Sequence, residues 1–131
     1  MNKFLKIDKF NISRAVITNI IYEKDPDIIR ASYISGYDSP DRLTIKEMDI
    51  GFTPDITAVF NKVLNIYEIE LGPTPAMEKW QLFSLYSQRY RAKLFLVVPD
   101  YLRKEIKAQL DRQNIPVGII YFETKGRETF N

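Results

Sequence analysis

The sequence predicts an α/β fold in which a mixed β-sheet carries helices on its faces. Three observations support this. Residues 93–99, Lys-Leu-Phe-Leu-Val-Val-Pro, form an unbroken apolar run of strand length, which fits a strand buried on both faces and central in its sheet. Residues 55–60 and 63–71 are β-rich runs joined by Asn61-Lys62, the pattern of an antiparallel hairpin. Strands come first as a meander and then alternate with helices, an order that gives a mixed sheet.

The elements follow in chain order. Residues 12–23 carry Val16, Ile17, Ile20 and Ile21 along one helical face, so we read a helix there, although so many β-branched residues would also suit a strand. Asp25-Pro26 stops it, and residues 36–41 are rich in turn formers. Residues 43–50 supply the first strand of a three-stranded meander, which the hairpin completes. Thr74-Pro75 then starts a helix, with Thr as cap and Pro in the first turn, and Met77, Trp80, Phe83, Ser84, Ser87 and Tyr90 mark one face to about Arg91. After the strand at 93–99, Asp100 is a candidate N-cap for a helix carrying Leu102, Ile106 and Leu110 to about Asn114. Ile115-Pro116 breaks that helix, 117–122 is a last short strand, and the tail from Glu123 is polar.

Bulk composition narrows the chemistry. With 131 residues, 45% hydrophobic and 27% charged, the chain has the size of one domain spanning 1–131. No apolar run approaches the roughly 20 residues of a membrane helix, and charges interrupt the first residues where a signal peptide needs an apolar stretch. A cytoplasmic protein without a membrane partner is therefore expected. The absence of cysteine excludes disulfides, thiolate zinc sites and Cys nucleophiles; the absence of histidine excludes His-dependent triads and most transition-metal sites. Carboxylates without imidazole suit hard cations such as Mg²⁺ or Mn²⁺. The net charge of +2 neither demands nor forbids nucleic acid.

Candidate chemistry lies in the hairpin. Alternation puts Glu68 and Glu70 on one face of their strand with Ile66, and Tyr67, Ile69 and Leu71 on the other. A turn at Asn61-Lys62 places Glu68 opposite Asp55, so three acids are expected to converge closely enough to hold a divalent cation. The plain alternative is a set of solvated or Lys-paired strand-end acids.

Pro54-Asp55 followed by Glu68-Ile69-Glu70 resembles the PD-(D/E)XK nuclease superfamily, the restriction-endonuclease-like fold, with Glu in place of its final Lys. The likeness continues through the following helix, the strand at 94–98 and the next helix, covering about 43–122. It implies a core of helix, three-stranded meander, helix and strand, and Mg²⁺-dependent hydrolysis of DNA or RNA. It implies Asp55 and Glu68 as metal ligands, the Ile69 carbonyl as a further one, and Glu70 as ligand of a second ion or positioner of water. In some members the lysine sits on the following helix, where Lys79 is the candidate here; a solvated surface lysine is the alternative. An upstream acid often completes such sites: Glu47 is preferred, with Asp49 and Glu23 as the other options. A nuclease-like module without activity, used for binding or assembly, is the rival expectation.

Lys79, Arg89, Arg91, Lys93, Arg103, Lys104, Lys107 and Arg112 would form a nucleic-acid footprint if they share a face. Trp80, Phe83 and Tyr90 at helical spacing fit a core better than a base-stacking surface. A chain this small is expected to act as a homodimer or beside a partner chain.

Overall fold

The computed structural model describes residues 8–72 and 77–123. The fold is α/β, and among the described residues it has a five-stranded mixed sheet, a separate two-stranded sheet and three α-helices. The strands are β1 (Ile28–Ala31), β2 (Leu43–Ile45), β3 (Met48–Phe52), β4 (Ile56–Phe60), β5 (Val63–Ile69), β6 (Lys93–Pro99) and β7 (Gly118–Phe122). The helices are α1 (Lys9–Val16), α2 (Met77–Tyr90) and α3 (Arg103–Gln113). The large sheet has the order β1-β4-β5-β6-β7; β4 is antiparallel to β1 and β5, and β5, β6 and β7 are parallel.

The hairpin forms as its composition predicts. Asn61 and Lys62 both take positive φ, 50° and 70°, the backbone of a two-residue turn whose twist matches the strands. Ile56 then faces Tyr67, and Phe60 faces Val63. Lysine has no side-chain bond to offset a left-handed backbone, so Lys62→Gly is expected to raise stability by up to about 1 kcal/mol, read as a higher urea midpoint.

Strand alternation divides the core into layers. Ile56, Ala58, Tyr67, Ile69 and Val97 face α1 and its continuation through Val16, Ile17 and Ile21. Leu96 and Val98 face Trp80 of α2 and Leu102, Ile106 and Leu110 on the α3 side. Ile66 and Leu94 pack against Leu82 and Phe83 of α2, which in turn meet Leu43 and Ile45 of the small sheet. Trp80 and Phe83 are thus core residues, whereas Tyr90 is exposed against the ring of Tyr86 at 4.5 Å between centroids.

The helix at 12–23 is longer and less regular than its hydrophobic spacing implies. α1 widens into a π turn at Ile17–Ile21 and tightens into a 3-10 turn at Tyr22–Lys24, ending on left-handed Asp25. Crowding by Ile17, Thr18, Ile20 and Ile21 is a sufficient cause, since β-branched side chains press on the preceding turn. Two further corrections concern strands and caps. Residues 43–50 do not open the meander: they fold as β2 and the start of β3 in the separate sheet, while the partner of β4 is β1, a strand not expected from its composition. The run at 93–99 is, as expected, an interior strand: β6 pairs with β5 on one side and β7 on the other. Asp100 begins a 3-10 turn through Leu102, so α3 starts a turn later than the apparent cap. The Thr74 cap, Pro75 and the tail from 124 onward lie outside the described residues.

Candidate functional site

Asp55 and Glu68 meet where β4 begins and β5 ends. Continuing the hairpin register, the Asp55 N–H donates to Glu68 Oε1 at 3.0 Å, and the Ile69 N–H donates to Asp55 Oδ2 at 2.9 Å. Each carboxylate thereby takes the place of a carbonyl at the end of the ladder. The segment before β4 is fixed by two bonds from Ser32, whose N–H donates to the Asp55 carbonyl (2.9 Å) and whose hydroxyl donates to that of Pro54 (2.7 Å). Both acids are almost wholly buried, Asp55 at 1% and Glu68 at 2% exposure. They lie at the carboxyl ends of the parallel strands, the edge where open α/β sheets form binding crevices.

Buried charges need partners, and two helices supply them. Lys79 of α2 places Nζ 2.5 Å from Glu68 Oε2. Lys9, in the first turn of α1 on the opposite side of the sheet, reaches round its end to lie 3.2 Å from Asp55 and 4.0 Å from Glu68. Burial pushes the Glu68 carboxyl up to about 7 from its ordinary 4.5; the Asp55 charge adds to the rise, and Lys79 and Lys9 oppose it. For Lys9, burial alone would lower the affinity for its proton, but the adjacent Asp55 and Glu68 charges outweigh it and raise the pKa.

The third acid does not join them. β5 ends at Ile69; the Glu70 N–H continues to the Val97 carbonyl, and Glu70 Oε2 accepts from the Gly72 N–H at 3.4 Å. Past the strand end, the side chain folds back over its own turn. Among the described residues, no three acids converge closely enough to hold a metal ion between them. The structure gathers two carboxylates and two ammonium groups instead of the expected three carboxylates.

None of the upstream acids reaches the pair. Glu47, in the turn between β2 and β3, is exposed and forms a bidentate pair with Arg89 at 2.6 and 2.8 Å. The Arg89 hydrogen bonds hold its pKa down at about 2. Arg89 lies ten residues beyond Lys79 on α2, about 15 Å along the helix axis. Asp49 belongs to the same small sheet, and Glu23 lies in the last turn of the first helical segment, fourteen residues and about 20 Å beyond Lys9. The expectation for Glu47 requires 43–50 to be the strand beside β4, and that strand is β1 instead. If Asp55 and Glu68 hold a divalent ion, Glu47→Ala is expected to leave its affinity unchanged in a calorimetric titration.

The expected basic footprint is dispersed too. Lys79 is at the acid pair, Arg89 is paired with Glu47, and Arg103 lies over the Tyr121 ring at 4.2 Å. Lys93 begins β6, at the opposite end of the sheet from the carboxyl ends where the acids sit. Sequence reasoning missed Lys9. Its only signal was indirect: two buried acids require about two cations, and Lys79 supplies one. No family model, curated protein or solved structure matches the chain.

Proposed function

We propose that this chain is a metal-dependent nuclease-like domain of the restriction-endonuclease type, acting on phosphodiester bonds of DNA or RNA. The supporting observation is the buried Asp55–Glu68 pair on adjacent antiparallel strands, with Lys79 from the next helix against Glu68. This set fits the proposed ion. Mg²⁺ favours oxygen donors and commonly takes only one or two carboxylates, completing its shell with water and substrate phosphate. Asp55 and Glu68 would hold Mg²⁺ or Mn²⁺, with the Ile69 carbonyl as a further donor. Once bound, the metal would supply a Lewis acid and a more acidic water. Lys79 would transfer its charge from Glu68 to the phosphate or the attacking water, the task that a lysine at position 70 has in the resembled family. Lys9, partly exposed on a flexible stem, would release Asp55 to the ion and turn to the substrate. Glu70, at the turn beyond the strand, would act only on the outer side of this set.

A second reading rests on a different feature of the same cluster. All four carboxylate oxygens already have a partner within 3.2 Å, and two ammonium groups balance two carboxylates. Such a cluster can serve to pin α1 and α2 to the end of the sheet in a binding or assembly module, alone or as a homodimer. Calorimetric titration with Mn²⁺ and Mg²⁺, paired with cleavage assays on single-stranded and duplex DNA and RNA, separates the two. Metal binding and cleavage that both vanish in Asp55→Asn support the nuclease. Absence of metal binding and of cleavage in the wild type supports the module.

A further inference from the structure

The exposed side of α1 and of its continuation to Lys24 carries two rings and one cation at a regular spacing. Phe10, Arg14, Thr18 and Tyr22 follow one another at four-residue spacing, and all four are exposed. In a regular α-helix that spacing drifts steadily round the axis; the π turn at Ile17–Ile21, which takes more residues per turn, brings the stripe back into line. Phe10 is 44% and Tyr22 54% exposed, and Tyr33, on the loop beside them, is 52% exposed. Three open rings on one side of a chain this small are too many to dismiss as isolated surface residues.

Each ring has a polar or charged neighbour. The Arg14 guanidinium lies 5.6 Å from the Phe10 ring centroid, Lys9 Nζ lies 6.0 Å from that of Tyr33, and the Tyr22 and Tyr37 hydroxyls are hydrogen-bonded at 2.8 Å. Between α1 and the 34–37 loop runs a trough of about 220 Å³ lined by Arg14, Thr18, Ser35 and Tyr37 over a floor of Ile17 and Ile34. That is smaller than the roughly 300–1,000 Å³ usual for small-molecule pockets, and it suits one flat ring at a time. The stripe starts one residue after Lys9, whose ammonium touches Asp55. Glu23 and Asp25 close its far end.

We infer that this stripe is a binding track for single-stranded nucleic acid, leading to the Asp55–Glu68 pair past Lys9. Partly exposed rings bind bases that are not already stacked in a duplex, and Arg14 complements the phosphates between them. The inference deepens the proposed function and rests on it for what happens at the Lys9 end; binding along the track does not depend on it.

The test uses the full chain in EDTA, where metal chemistry is silent. Fluorescence anisotropy is measured with a labelled oligothymidylate of about ten nucleotides, within the site sizes typical of such tracks, and with a duplex of the same length. The single strand is expected to bind about tenfold more tightly than the duplex. Phe10→Ala and Tyr22→Ala, both at exposed positions, should each weaken it by about tenfold, as the loss of one stacked base predicts. Arg14→Gln should lower the slope of log affinity against log salt by about 0.7. Equal affinity for both nucleic-acid forms, or ring variants that bind like wild type, would overturn the inference. So would an absence of oligonucleotide binding; sedimentation with phosphatidylserine vesicles in that case would make the stripe a membrane-surface contact. Ring variants that cleave and bind normally would sink the track and leave the metal site; oligonucleotide binding without cleavage of any substrate would do the reverse.

Discussion

Asp55→Ala is expected to lose about 3 kcal/mol of stability and, under the proposed function, all metal-dependent cleavage, whereas Asp55→Asn keeps most of the stability and still loses the cleavage. The difference follows from what each atom does. Asp55 Oδ2 accepts the buried Ile69 N–H, and both oxygens lie 3.2 Å from Lys9. Alanine leaves that N–H without a partner and Lys9 without its nearest counter-ion. Relief of the repulsion between Asp55 and Glu68 offsets part of this, which keeps the loss near the lower end of that for breaking a buried pair. Asparagine still presents a carbonyl oxygen to Ile69 but lacks the negative charge that a divalent ion requires. Urea denaturation in EDTA and Mn²⁺-dependent cleavage, measured on both variants, check the two halves separately. A stable Asp55→Asn protein that still cleaves would remove Asp55 from the metal site.

The geometry behind this expectation was largely legible in the chain, because a hairpin is a local object. A turn at Asn61-Lys62 fixes the register of 55–60 against 63–69, and that register sets Glu68 beside Asp55. The rest of the site depends on contacts between distant segments. β1 has only four residues, begins with an exposed Ile28 and contains Arg30, so it shows little of the apolar run that marked β6. Residues 43–50 make a longer run with strand propensity, and propensity reports a half-buried surface without naming the sheet. Glu70 departs from its expected place for a different reason. Alternation holds only while the strand continues, and β5 ends one residue earlier. Lys9 was invisible because its partner is 46 positions away and reached round the end of the sheet. Even there the physics left a trace: two acids with almost no solvent contact had to be neutralised by something.

Glu68 makes stability depend on pH in an unusual direction. Its folded-state pKa is about 7 against an ordinary 4.5, so between those values the folded protein holds a proton that the unfolded chain has released. Stability is therefore highest below about pH 4.5, as far as this group is concerned, and falls as pH rises toward 7. The full difference corresponds to roughly 3 kcal/mol. Other shifted groups leave that interval alone: Glu47, held down near 2, titrates below it, and Lys9, raised above 10.5, stays charged throughout. Urea midpoints in EDTA at pH 5 and pH 8 should fall for the wild type and stay nearly level for Glu68→Gln, which has no proton to release. Parallel behaviour of the two proteins would mean that Glu68 is ionised across the range and that Lys79 outweighs burial. Mg²⁺ adds a further arm. A carboxylate must be ionised to bind metal, so under the proposed function the ion stabilises the wild type most at pH 8, where Glu68 has released its proton, and does little for Glu68→Gln. The cost of burying that charge in the free protein is then a device that favours occupancy, since the ion offsets the charge that Lys79 must otherwise balance.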